Sequence, residues 1–152
     1  MGVLAGKEWA FDTAASKYER MRPGYTEDLY KQIFDYCSID EQSELIEVGI
    51  GGGQATLPFL KKYSHVTAIE YGKNLADICK EKFKDYTGFE VITSKFEDVE
   101  LNDNAYDLIY SASAFHWIPE EIGYTKVYKA LKPGGVIRIY DTMDLQLARK
   151  VK

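Results

Sequence analysis

The sequence predicts an α/β fold: an open, mostly parallel sheet with helices on both faces. Three observations carry this. Five short strand-like runs alternate with helical patterns along the 152 residues, the arrangement of parallel strands joined by helical crossovers. A glycine-rich turn, "VGIGGGQ" (48–54), follows the first strand directly. An acid, Glu70, ends the second strand.

The elements follow in order. Tyr30, Ile33, Phe34 and Cys37 recur at i, i+3, i+4, i+7, one face of a helix. "SELIEV" (43–48) is a short strand. "QATLPFLKKY" (54–63) resumes a helical pattern, with Pro58 tolerable only near its first turns. "HVTAIE" (65–70) is a β-branched strand, and Leu75, Ile78, Cys79 and Phe83 mark the next helix. "FEVIT" (89–93) is a third strand, and "YDLIYS" (106–111) is apolar enough to be a buried fourth. Tyr124, Val127, Tyr128 and Leu131 give another helical face, which "LKPGG" stops through Pro133 and Gly134. "GVIRIYD" (135–141) is the fifth strand.

No repeat, low-complexity tract or linker divides the chain, so residues 1–152 read as one domain. A composition of 45% hydrophobic and 28% charged residues suits a globular core. The net charge of −5 argues against a partner held through phosphates, so nucleic acid is not expected. No apolar run approaches the roughly 20 residues of a membrane helix. "MGVLAGKEWAFD" lacks the layout of a secretion signal, so a cytoplasmic protein is expected. Cys37 and Cys79 read as buried thiols. With only His65 and His116 and no paired cysteines, no metal site is expected.

Ligands of such sheets sit beyond the C-terminal strand ends, where the strand order reverses. The glycine turn there rejects the phosphate-binding P-loop, since no Gly-Lys-Ser/Thr follows at the right spacing. The dinucleotide fingerprint needs a third small residue where Gln54 or Thr56 stands. What remains is acid-x-Gly-x-Gly-x-Gly: Glu47, Gly49, Gly51, Gly53. Glu70 lies 21 residues after Gly49, where an acid can accept from a ribose diol.

At this point the sequence resembles the class I S-adenosylmethionine-dependent methyltransferases, in the branch of ubiquinone/menaquinone-type and trans-aconitate methyltransferases. "EVGIGGG" is similar to the family's first motif and "AIEYG" to its acidic second. "ITSKFEDVELNDNAYDLIYSASAFHW" and "ALKPGGVIRIYD" match later segments in order, and "FDTAASKYERMRPGY" resembles the N-terminus of the trans-aconitate-like branch.

The resemblance implies a Rossmann-like fold, S-adenosyl-L-methionine as cofactor (S-adenosyl-L-homocysteine as product) and a small-molecule methyl acceptor. It implies that Gly49, Gly51 and Gly53 line the methionine end, with Glu47 near the amino group. Glu70 would bind the ribose, Tyr71 would lie beside the adenine, and Phe96 and Glu97 would cover the adenine edge. Lys95 departs from the pattern: many relatives carry an aspartate there, and lysine cannot accept. Ser111 would lie under the methionine moiety. His116 and Trp117 would face the substrate chamber, with His116 the one candidate base. Residues 1–25 would form a lid that brings Tyr18 and Arg22 inward.

The family fold has seven strands, and only "TMDLQLARKVK" follows strand five here. The expectation is a chain that stops after strand five and leaves an apolar edge open to self-association. Two further readings stand beside the enzyme. One is a fragment that binds cofactor without turnover. The other, disfavoured by Gln54 and Thr56, is an NAD-dependent oxidoreductase.

Overall fold

The computed structural model describes residues 26–112, 115, 118–140 and 149–150. Their elements run α1 (Glu27–Tyr36), β1 (Glu44–Val48), α2 (Leu57–Leu60), β2 (His65–Glu70) and α3 (Lys73–Lys82). Then come β3 (Phe89–Thr93), β4 (Tyr106–Ala112), α4 (Glu120–Ala130), β5 (Leu131–Tyr140) and β6 (Arg149–Lys150). The sheet order is β3-β2-β1-β4-β5-β6. The first five strands are parallel, and β6 is antiparallel to β5. The chain steps outward from β1 to β3, then crosses back to lay β4 on the other side of β1. That reversal puts the switch point between β1 and β4, where ligands of open α/β sheets bind.

Strand alternation sorts the core into two layers. On one face, Leu45, Val66, Leu108 and Val136 pack with Leu29 and Ile33 of α1, Phe59 and Leu60 of α2, and Cys79 of α3. On the other, Ile46, Ile69, Ile109 and Ile137 pack with Val127 and Ala130 of α4 and with Phe96 and Val99 of the β3–β4 connection. With both faces covered, β1 is buried from Leu45 to Val48, as parallel sheets require. Phe59 anchors the first layer. Its ring centroid lies 4.4 Å from that of Tyr110, 5.6 Å from Phe34 and 5.7 Å from Tyr30. Thr26 starts α1 by accepting the Leu29 N–H on its hydroxyl, at 3.3 Å.

Three details differ from the sequence pattern. The helical stretch expected over 54–63 is helical only over Leu57–Leu60. Pro58 explains this, because its ring would collide with the carbonyl of residue 54 in a longer helix; Tyr63, at φ 61, closes the other end. "LKPGG" stops α4 at Ala130 as expected, but it also belongs to β5. Leu131 pairs with Tyr106 and Val136 with Leu108, so the intervening Pro-Gly-Gly bulges out, with Gly134 at φ 80. Strand five is also not the bare edge expected. Arg149 and Lys150 pair with Ile137 and Val136 and satisfy part of its backbone.

Phe59 is fully buried against three aromatic rings. Phe59→Ala should lower unfolding free energy by about 3–5 kcal/mol. Urea denaturation measures this, and a loss below about 1 kcal/mol would contradict the packing described.

Candidate functional site

The site grows from the turn that leaves β1. Gly49, Gly51 and Gly53 have φ of 71, 59 and 85, while Gly52 is not among the positive-φ residues. The alternate spacing read from the sequence therefore has a backbone cause: those three positions need a conformation that a Cβ resists. The Gly49 N–H continues the ladder to the Ile69 carbonyl at 2.7 Å, and the Gly53 N–H donates to the Ile50 carbonyl at 3.0 Å. At Gly53 space is also limiting, since a Cβ there would lie 2.8 Å from Cε2 of Phe83.

Glu70, at the end of β2, locks this turn. One carboxylate oxygen accepts the Gly51 N–H at 2.8 Å, and the other accepts the Gly72 N–H at 2.8 Å. The residue is only 8% exposed. One side chain thus ties the end of β1 to the start of α3.

Glu47 lies beneath the turn. It is fully buried, and its Oε1 accepts from the Tyr110 hydroxyl at 2.6 Å and the Thr56 hydroxyl at 2.7 Å. Tyr110 is its partner in the β1–β4 register. Burial pushes the carboxyl up to about 7; the two hydroxyl bonds oppose this, and the charge of Glu70 adds to it. Its Oε2 and the Nε2 of Gln54 are buried without a hydrogen-bond partner. Native structures seldom leave such atoms unsatisfied.

The remaining expected residues are placed unevenly. Tyr71 follows Glu70 and is 46% exposed, with the Lys95 ammonium 5.1 Å from its ring centroid. Phe96 turns its ring into the second core layer, 6.2 Å from the ring of Phe115, so its side chain belongs to packing. Glu97 is half-buried, and its carbonyl accepts from Nζ of Lys126 at 3.1 Å. Ser111 donates its hydroxyl to the Val48 carbonyl at 2.9 Å, which fastens β4 to β1 at the switch point. Tyr18, Arg22, His116 and Trp117 lie outside the described residues. Among the described residues no cluster of His, Cys, Asp or Glu could hold a metal, and no helix is long and apolar enough to cross a membrane.

Sequence reasoning missed Thr56, Tyr110 and Gln54 as polar neighbours of the turn. Tyr110 left a signal: a phenol inside a buried strand needs a partner for its hydroxyl. The pairing itself depends on strand register, which spacing alone does not fix.

This combination, a doubly wound sheet whose first turn is glycine-rich and held by the acid ending β2, defines a nucleotide-type binding fold of the Rossmann-like class. The chain belongs to the methyltransferase domain family, whose model matches residues 46–139. An uncharacterised methyltransferase-like protein of Schizosaccharomyces pombe is 28% identical over 136 residues, covering 88% of this chain and 52% of that protein. The chain thus spans about half the length of the curated relatives it matches. Among solved structures, a putative S-adenosyl-L-methionine-dependent methyltransferase of Methanococcus maripaludis superposes with a TM-score of 0.75 at 19% identity, covering 93% of this chain and 67% of that one. A phosphoethanolamine N-methyltransferase of Haemonchus contortus, solved with phosphomonomethylethanolamine and S-adenosylhomocysteine, gives 0.74 at 18% identity, covering 90% and 35%. These likenesses establish the fold.

Two outcomes follow from the turn and the acid beneath it. Gly53→Ala meets both a φ of +85 and the Phe83 ring, whereas Gly134→Ala meets a φ of +80 in open space. Gly53→Ala should lose about 1–3 kcal/mol from crowding beyond the backbone strain that both share. Urea melts of the two variants give the difference, and equal losses would refute the close approach of α3. Burial holds the Glu47 carboxyl up to about 7, against an ordinary value of 4.5. Between those values the folded chain holds a proton that the unfolded chain has lost, so stability falls as pH rises through this window. Glu47→Gln removes that slope. Relative to the parent protein, the variant should gain up to about 3 kcal/mol between pH 4.5 and 7.5, read from urea midpoints across that range.

Proposed function

We propose that the chain is an S-adenosylmethionine-dependent methyltransferase acting on a small molecule. The observation that carries this reading is the turn after β1. Three of its glycines are left-handed, and the carboxylate ending β2 holds its Gly51 N–H at the switch point of the sheet.

The residues present suit the chemistry of that cofactor. A ribose diol brings two O–H donors, and Glu70 supplies a carboxylate at the rim. An amino-acid end brings an ammonium and a carboxylate. Glu47 Oε2 is an acceptor and Gln54 Nε2 a donor, both buried and unpartnered. Tyr71 is assigned to the adenine, with the Phe96 backbone and Glu97 along its edge. Ser111 supports the turn from β4, through the end of β1.

S-adenosylmethionine, when bound, supplies an activated methyl group with a neutral thioether as leaving group. Such chemistry asks this chain for alignment and exclusion of water more than for proton transfer. Alignment is worth roughly 7–11 kcal/mol of barrier. A carboxylate acceptor needs no deprotonation at neutral pH. For a hydroxyl or carbon acceptor, His116 is the assigned base. We assign residues 1–25 to a lid whose Tyr18 and Arg22 face the ligand, Arg22 being suited to bidentate carboxylate binding, and Trp117 to the chamber wall. The N-terminal likeness to the trans-aconitate branch supports a small carboxylic acid as acceptor. The Haemonchus neighbour, solved with a small amine, supports the broader small-molecule class.

A second reading has its own support. Because the chain covers about half of its curated relatives, it can be a cofactor-binding portion that needs further chain for turnover. An NAD-dependent reading is weaker, since Gln54 and Thr56 stand where the fingerprint needs a small residue.

Calorimetry with S-adenosylhomocysteine should show one site. Incubation with labelled S-adenosylmethionine and a panel of small acids, phosphorylated amines, quinol precursors and RNA then separates the readings. Binding with transfer to a small molecule supports the enzyme. Binding without transfer supports the portion, and transfer to RNA alone overturns the acceptor class. Glu70→Ala should weaken S-adenosylhomocysteine binding by about 1–3 kcal/mol; unchanged affinity would remove Glu70 from the site.

A further inference from the structure

We infer that α3 is a positioning element for the glycine turn, acting through Cys79 and Lys82. Its effect on cofactor affinity rests on the cofactor reading above; its effect on the turn does not.

Three left-handed glycines give the turn great freedom in the absence of outside contacts. Its N–H side is held by Glu70. Its carbonyl side is held by α3. The Cys79 thiol donates to the Gly51 carbonyl at 3.2 Å, and the Lys82 ammonium donates to the Gly52 carbonyl at 3.0 Å. Phe83, which caps α3, occupies the space beside Gly53. Residues 79, 82 and 83 share one helical face by their i, i+3, i+4 spacing. The Lys82 ammonium also lies 5.7 Å from the Phe83 ring centroid, so its long stem is guided toward the turn.

The contacts close a circuit. Glu70 binds the start of α3 through the Gly72 N–H and the turn through the Gly51 N–H. The last turn of α3 then reaches back to the next carbonyls of the same turn. The consequence is directional. In a planar trans peptide the C=O and the following N–H point opposite ways. With the Gly51 carbonyl fixed toward α3, the Gly52 N–H is turned to the side away from α3. That gives Gly52, the one glycine of the turn outside the left-handed region, a role: it presents an oriented donor rather than relieving backbone strain.

Lys82 is exposed, so Lys82→Met leaves the core intact. It should raise the S-adenosylhomocysteine Kd roughly three- to fivefold, the scale of one solvent-accessible charged hydrogen bond. Lys82→Arg should restore binding, and Lys84→Met, which removes a neighbouring charge paired with Glu81, should leave it unchanged. Cys79→Ala should weaken binding and Cys79→Ser recover it. Hydrogen exchange on the ligand-free protein should show faster amides at residues 51–53 in Lys82→Met and Cys79→Ala, with slow exchange retained in β1 and β2. Unchanged exchange in both variants, or equal Kd for Lys82→Met and Lys84→Met, would overturn the proposal. If the parent protein binds no S-adenosylhomocysteine, the cofactor reading fails, and the exchange comparison alone supports or refutes the brace.

Discussion

The structure depends on one carboxylate with two backbone partners. Glu70 receives an N–H from the turn after β1 and another from the turn after β2. The first turn is rich in left-handed glycine, and the second is the short entry to α3. Buried N–H groups need partners, and the strand ladder ends before it reaches them. A side chain ending β2 is the nearest acceptor of fixed position, because β2 is pinned to β1 over five register pairs. The sheet thus aims Glu70, and Glu70 aims the turn.

Below that clasp the sheet carries polar weight that a packed core normally avoids. Glu47 and Tyr110 face each other across the two central strands, and Thr56 closes the group from the segment after the turn. The phenol ring of Tyr110 still packs on Phe59, so the residue serves both the first core layer and the polar group. Tyr30 adds a further tie, donating its hydroxyl to the Ala55 carbonyl at 2.9 Å. The segment from residue 49 to 56 is therefore held from β1, β2, α1 and α3. A short irregular segment fixed from four sides can stay ordered without a helix or strand of its own.

Much of this was legible in the sequence, and the parts that were not share a cause. All five parallel strands, the helix stop at "LKPGG", the special status of glycines 49, 51 and 53 and the importance of Glu70 follow from local chemistry: β-branched runs, terminator residues, alternate spacing and an acid at a strand end. The late start of α2 was also signalled by Pro58, which only the first turn of a helix tolerates. The partners of Glu47, Cys79 and Lys82 were not available. They lie 63, 28 and 30 residues away in sequence, and periodicity says nothing about such separations without register. The core position of the Phe96 ring was also not available, because it follows from the β3–β4 connection covering the second face of the sheet.

Two carboxylates near one turn sit in different surroundings, and the difference bears on the proposed ligand. Glu70 ends β2 and accepts from two backbone N–H donors. Glu47 is sealed below with two hydroxyls, too few to offset its burial, so its carboxyl is held up to about 7 and the charge of Glu70 raises it further. A protonated Glu47 carries no charge to desolvate. An approaching ammonium reverses the balance, since a nearby positive charge favours the carboxylate and offsets repulsion from Glu70. An anion placed at the same point would oppose that ionisation. Under the proposed cofactor, the surroundings of Glu47 thus favour the ammonium of its amino-acid end, an argument independent of the glycine pattern above it.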